Sequence, residues 1–210
     1  MVRGENGWGW VRQSPGLSLG GLLIFVRGSS PEQMIEAHGM DLQAAQMMTW
    51  AAVSRSFPPG GPPWVRAGQA RQWAFTIEVV TQLGLEEDVA WRQSAGTEAV
   101  EVCWTAKPNS SVRYIAAGVL VTAFEPGMEW DRAGSEPDRF LPAMRELGLR
   151  VERPAPQQRP RARRNLEEER RHPRRDPVVA ALAALTLALG IQLPEEVAHG
   201  PLLTAWREPR

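Results

Sequence analysis

The side chains of this 210-residue chain with the means to do chemistry are three histidines, one cysteine and a few carboxylates set among apolar neighbours. Histidine is the usual proton carrier near neutral pH. His38 stands where a short helix should end, His172 in an arginine-rich run, and His199 at the end of another short helix. No two have the His-Glu-x-x-His spacing that puts two metal ligands on one helix face. A cation at a helix C-terminus meets the negative end of the dipole, which accounts for His38 without catalysis. Cys103 alternates with Val102 and Trp104, so it points to the opposite face of its strand. With no histidine close in sequence it reads as an inert thiol, and a lone cysteine excludes a disulfide scaffold.

Paired carboxylates can hydrolyse glycosidic bonds. Glu78 and Glu101 each occupy a stretch whose alternate positions are apolar. The expected pose is outward, into solvent or into a groove if the second face is partly covered. Glu125 and Asp131 flank a loop that holds Trp130, a composition that turn chemistry also explains. Gly16 to Gly21 contains three glycines but no Gly-x-x-x-x-Gly-Lys-Ser/Thr run, so a P-loop is excluded. Arg27-Gly28 sits before a helix start and is a weak anion candidate, because Pro31 removes one of the backbone donors.

These residues must be positioned by elements that the sequence marks clearly in places. Gly20 to Val26 is a continuous apolar run of strand length. Ser30-Pro31-Glu32-Gln33 predicts a capped helix to Gly39, and Asp41 predicts a second over 41–54. Phe57 to Gly68 carries four prolines and three glycines and reads as a loop. Residues 73–80, 97–105, 111–116 and 119–124 alternate as strands, the last three forming an antiparallel meander. A helix is predicted over 136–147 and another over 177–189, the latter opened by Asp176-Pro177 and closed by Gly190. Val178 to Ile191 is too short for a bilayer span, which needs roughly 20 residues, and reads as a buried core helix.

Residues 1–18 read as an irregular leader. Residues 151–175 read as a disordered linker in which Arg153 to Arg175 holds nine arginines against three glutamates. Arg161, Arg163, Arg164, Arg170 and Arg171 are the polyanion-binding candidates, through counterion release, although no aromatic stands among them to stack on bases. Overall charge is balanced, with 24 basic and 24 acidic side chains, which argues against a globally basic nucleic-acid binder.

The order of signals is familiar. It runs from Phe25-Val26-Arg27-Gly28 through Ser30-Pro31-Glu32, Trp73-Ala74-Phe75 with Glu78, and Ser94-Ala95-Gly96-Thr97-Glu98-Ala99-Val100. It continues to Phe124-Glu125-Pro126, Gly134-Ser135-Glu136-Pro137-Asp138 and Leu147-Gly148-Leu149. Over residues 20–150, and again near 178–203, this resembles an actinobacterial, streptomycete-type family classed as a domain of unknown function. The resemblance implies an intact bacterial domain and no assigned activity.

The expected fold is α+β: an antiparallel sheet of four to five strands with helices on one face. The core domain spans 19–150, and a helical segment at 176–206 returns after the linker to pack on it. Nine tryptophans are many for this length. Trp50, Trp73 and Trp104 have core phases, whereas Trp64, Trp91 and Trp130 fall in loop-like or ambiguous stretches. Exposed aromatics mark interface hot spots, so these three and Arg27 are the partner-binding candidates. The leading expectation is a cytoplasmic, non-enzymatic protein–protein interaction module, regulatory, immunity-like or accessory, with no cofactor, no metal and no membrane association. The alternatives are a hydrolase or ligand-binding enzyme using Glu78, Glu101 or Glu125 in a groove, and a nonspecific nucleic-acid accessory acting through the arginines.

Overall fold

Gly20 to Val26 is apolar at every position because its strand runs through the middle of a sheet covered on both sides. The computed structural model describes residues 7–58, 61–106, 109–153 and 176–207. Its sheet has eight antiparallel strands: β1 (Gly20–Arg27), β2 (Gln46–Met48), β3 (Trp64–Ala70), β4 (Trp73–Val79), β5 (Glu98–Thr105), β6 (Ser110–Ala116), β7 (Val119–Phe124) and β8 (Leu202–Trp206). Their spatial order is β2-β8-β3-β4-β1-β5-β6-β7.

Alternation along β1 sends Leu23 and Phe25 to one face and Leu22, Ile24 and Val26 to the other. On the first face they join Trp73, Phe75, Val100, Val102 and Trp104 beneath α1 (Trp10–Gln13), α6 (Leu141–Glu146), α7 (Pro177–Leu189) and α8 (Glu195–His199). On the second they join Ala74, Ala99 and Cys103 beneath α2 (Pro31–Ala37), α4 (Leu83–Glu86) and α5 (Val89–Gln93). Helices on both faces, rather than one, correct the expected two-layer arrangement. A strand as wholly apolar as β1 is the sequence trace of two covered faces.

Local chemistry starts and stops the helices where expected in two cases. Ser30 and Gln33 form a reciprocal capping box at α2, with Pro31 at the first turn. Asp176 accepts from the N–H groups of Val178 and Val179 at α7, and Gly190 ends that helix in the left-handed region at φ 70°. The apolar run read as a core helix is α7, with Leu182 and Leu185 fully buried. Among the described residues no helix is long and apolar enough to cross a membrane.

The sheet exceeds the expected four to five strands because β2, β3 and β8 carry no readable period of their own. The prolines of the expected loop end at Pro63, and Trp64–Ala70 pairs with both β4 and β8. Asp41 does cap, but only a 3-10 turn over Leu42–Ala44. The chain then extends as β2 against β8, and Thr49 caps a separate α3 (Trp50–Ser56), so the expected helix over 41–54 is replaced by three short elements. The expected helix over 136–147 begins only at Leu141, because the N–H groups of Ser135 and Glu136 bond to carbonyls of β7.

Within the stretch read as an irregular leader, residues 7–18 include α1 and pack onto the first face. Trp8 Nε1 donates to Thr186 Oγ1 at 2.9 Å, Trp10 Nε1 to the Leu193 carbonyl at 3.0 Å, and Trp104 Nε1 to the Leu17 carbonyl at 2.7 Å. Arg12 pairs with Asp176 at 2.7 Å. Gly21 allows this strap its close approach, since a Cβ there would stand 2.6 Å from both Leu17 and Trp104.

Candidate functional site

Two polar constellations lie inside this frame, one on each face of the sheet. On the second face Glu78 leaves β4 toward the helices instead of toward solvent, and it is completely buried. Its Oε2 accepts from the Leu83 N–H at 2.8 Å and the Thr81 hydroxyl at 2.9 Å. Its Oε1 accepts from the Gly84 N–H at 2.9 Å. The carboxylate thus satisfies the first N–H groups of α4, which a buried helix end requires. His38, also completely buried, ends α2 with Nε2 3.2 Å from Glu78 Oε1. Gly84 is required between them, because a Cβ would stand 2.9 Å from Glu78 Oε1 and 3.0 Å from His38 Nε2.

Glu101 follows on the same face. In register, Glu78 is opposite Leu22 and Glu101 is opposite Ile24, so the two acids lie diagonally across β1. Glu101 takes Arg113 of β6 at 2.6 Å. Burial raises its pKa, Arg113 opposes that shift, and Glu78 and Asp88 reinforce it. Burial also pushes the Cys103 thiol up to about 11, with Glu101 and Glu78 adding to the effect, so the thiolate is scarce at neutral pH. The expectation that Glu78 and Glu101 face outward is therefore corrected: both are inside, held by donors from α4 and β6. Glu125 stands apart from them, lining a polar pocket of about 340 Å³ with Gln82, Cys103 and Ser111.

On the first face Ser14, just after α1, places its Oγ 2.7 Å from His199 Nε2. His199 Nδ1 lies 3.6 Å from Glu195 Oε1, one turn back along α8. The serine hydroxyl donates to the Trp10 carbonyl, one helical turn back, at 2.8 Å. Trp50 packs on the imidazole at a centroid distance of 5.1 Å, and Trp10 meets it edge-on at 5.9 Å. Arg66 of β3 fixes the backbone on either side of the histidine, donating to the carbonyls of Ala198 at 2.5 Å and Gly200 at 2.7 Å. A third bond runs to the Met48 carbonyl at 2.9 Å, and the guanidinium lies 5.3 Å from the Trp50 ring. Burial lowers Arg66 to about 10. Burial first, then Arg66, lowers the His199 pKa, while Glu195 opposes the shift. The contact between Ser14 and His199 ties the end of α1 to the end of α8. The i, i+4 spacing of Glu195 and His199 was visible in the sequence. Ser14 and Arg66 were not, since only the fold brings them there.

The partner-binding candidates are distributed rather than gathered. Trp64 opens β3, half-buried, with its ring edge-on to Trp50 at 6.2 Å and Trp206 opposite it in register. Trp91 lies half-buried in α5 against the second face, and Trp130 half-buried in the loop after β7. Arg27 is engaged internally, 4.9 Å over the Trp73 ring and 3.0 Å from Glu98. Arg161, Arg163, Arg164, Arg170 and Arg171, with the linker that contains them, lie outside the described residues.

The two outer strands of the sheet differ. The free side of β7 is bridged by Ala123 and Ala133, and its Leu120 and Val121 carbonyls accept from Ser135 and Glu136. Along β2, no described residue pairs with the outer side. Its residues Gln46, Met47 and Met48 include no charge and no proline, and Met47 is 64% exposed. A groove of about 440 Å³ extends from Met47 across β8 to β3, lined by Leu203, Ala67 and Gln69 with Pro31, Glu32 and Glu196.

One protein-family model, described as a family of unknown function (DUF6461), matches residues 63–196, more than half of the chain. The matched part holds Glu78, Glu101, Arg113 and Glu195, while Ser14, His38 and His199 lie outside it. No curated protein and no solved structure matches the chain.

Proposed function

We propose, from the premise that this chain belongs to the DUF6461 family and takes no activity from it, that it is a protein-binding module. It receives an extended segment of a partner along the outer side of β2. The supporting observation is the contrast between the two ends of the sheet. Proteins guard exposed edges with charge, proline, bulges or covering segments. The β7 side is covered by residues 133–136, whereas β2 is short and, among the described residues, otherwise unguarded, and it carries an exposed methionine. Strand addition draws affinity from main-chain bonds and selectivity from alternate side chains. The groove that starts at Met47 and crosses β8 to β3 offers Leu203 to an apolar side chain reaching over the edge, and Glu32 and Glu196 to a neighbouring Lys or Arg. The occupant is accordingly an extended apolar-and-basic peptide segment of another protein.

The test is selection from a displayed library of random linear peptides, followed by titration calorimetry. Selected peptides should alternate apolar and basic residues and bind in the micromolar range. Met47→Asp should weaken them at least about tenfold, a loss of about 1.4 kcal/mol, with an unchanged melting temperature because Met47 packs little. Peptides that bind equally well to the Met47→Asp protein, or a library that yields none, would remove this reading.

A further inference from the structure

We propose that the polar pocket at the ends of β5, β6 and β7 binds the ammonium group of a small primary alkylamine. This inference goes beyond strand addition and does not rest on it.

Strand register builds this pocket. Cys103 pairs with Ser111, and Glu125 follows Phe124, the partner of Val112, so it stands beside Ser111 at the end of β7. Alternation puts Cys103, Ser111 and Glu125 in one row on the second face of the sheet. The same row runs back through Leu22 to Glu78. The helices α2 and α5 of that face pack on β1, β3, β4, β5 and β8, and the pocket lies beyond them on the β6–β7 side. Gln82, just before α4, donates from Nε2 to Cys103 Sγ at 3.7 Å, and Asn109 and Ser110 at the start of β6 complete the lining.

That lining is polar and mostly unspent. Glu125 is half-buried, and among the described residues its carboxylate has no ion pair and no hydrogen bond. Among the same residues the hydroxyls of Ser110 and Ser111 and the amide of Asn109 have none either. A carboxylate taken partly out of water without a partner is unfavourable, and a cation beside it offsets that. The field at Cys103 has the matching sign. Beyond burial, Glu101 and Glu78 raise its pKa, each more strongly than Arg113 opposes them. No arginine, lysine or histidine among the described lining residues would hold an anion, and no aromatic ring would cage a quaternary ammonium. Among the described residues no three His, Cys, Asp or Glu side chains gather to hold a metal ion. A primary ammonium has three donors and no acceptor. Glu125, the Gln82 side-chain carbonyl and the serine hydroxyls supply the acceptors. A volume of about 340 Å³ takes a short carbon chain along with the head group.

The experiment titrates the full chain with n-butylamine, followed by amide proton–nitrogen correlation NMR, with n-butanol as the uncharged control of equal length. Shifts should centre on Gln82, Cys103, Asn109 to Ser111 and Glu125, with a dissociation constant on the order of 1 mM. Glu125→Gln keeps the shape and removes the charge, and it should weaken binding at least about tenfold with an unchanged melting temperature. Ser111→Ala should weaken it about threefold. Met47→Asp should leave it unchanged, which keeps this test separate from that of peptide binding. Nα-acetyl-lysinamide carries the same butylammonium arm on a peptide backbone. If it binds more tightly than the amine, a lysine side chain is the source of the ammonium; if more weakly, a free amine is, and either order supports the site. Absence of shifts at these residues, shifts centred on Glu32 and Glu196 instead, equal affinity for n-butanol, or undiminished binding by Glu125→Gln overturns the proposal.

Discussion

Glu78 Oε1 and His38 Nε2 face each other at 3.2 Å with no solvent exposure on either side chain. His38 Nδ1 lies 2.7 Å from the Met34 carbonyl, which can only accept, so Nδ1 carries a hydrogen. A neutral imidazole would then present a lone pair to a carboxylate.

Glu78→Gln tests how far this carboxylate organises α4. An amide has one oxygen where the acid has two. Its NH2 group can face His38, but it then also faces the Gly84 N–H. A buried donor left without an acceptor costs about 1–3 kcal/mol. Urea unfolding should show a loss of that size, and a loss below about 0.5 kcal/mol would contradict the capping role.

Gly84→Ala should be destabilising for a different reason. The new methyl would stand 2.5 Å from Ile24 Cδ1, as well as against the Glu78–His38 pair. Overpacking of this kind costs about 1–3 kcal/mol. The expected readout is a lower melting temperature, with faster hydrogen exchange at Leu83 to Gln93. Unchanged exchange there would show that α4 is not held by this contact.

Arg66→Met keeps most of the apolar stem and removes three bonds to backbone carbonyls of Met48, Ala198 and Gly200. Leaving buried acceptors unpaired should cost on the order of 3 kcal/mol. Hydrogen exchange should rise first in α8 and β2, since those are the segments the guanidinium joins. Uniform loosening of the whole sheet would argue against this local role.

Stability should also depend on pH through His199. Its folded pKa is held below the ordinary 6.5 by burial and by Arg66. The unfolded chain therefore takes up the proton first. The contribution is whole above about pH 6.5 and is lost as pH falls through the lower folded value. His199→Gln should flatten that limb of the stability curve. A variant curve parallel to the original below pH 6.5 would refute the assignment.

Legibility in the sequence followed range of interaction. The capping box of Ser30 and Gln33, the Asp176 cap and the β5–β6–β7 meander were readable because each is decided by residues a few positions apart. β2 was not, because Gln46–Met48 becomes a strand only by pairing with Leu202–Thr204. Glu78 and Glu101 were misplaced for a related reason. An acid in an alternating strand reads as solvent-facing unless the donors of α4 and Arg113 are known to cover it. Ser14 and His199, 185 positions apart, carried no local sign of each other.

β8 sits between β2 and β3, and the strap from Trp8 to Leu17 is tied to α7, α8 and their neighbours. A ribosome releases the strap some 185 positions before the partner it meets at His199. Until Leu202–Trp206 emerges, β3 lacks its outer neighbour and β2 has none, and until Thr186 and Leu193 emerge Trp8 and Trp10 lack their hydrogen-bond acceptors. Assembly must therefore await Leu202–Trp206, with large aromatic surfaces uncovered in the meantime. Such late closure makes folding slow and leaves nascent chains prone to aggregate when synthesis is fast.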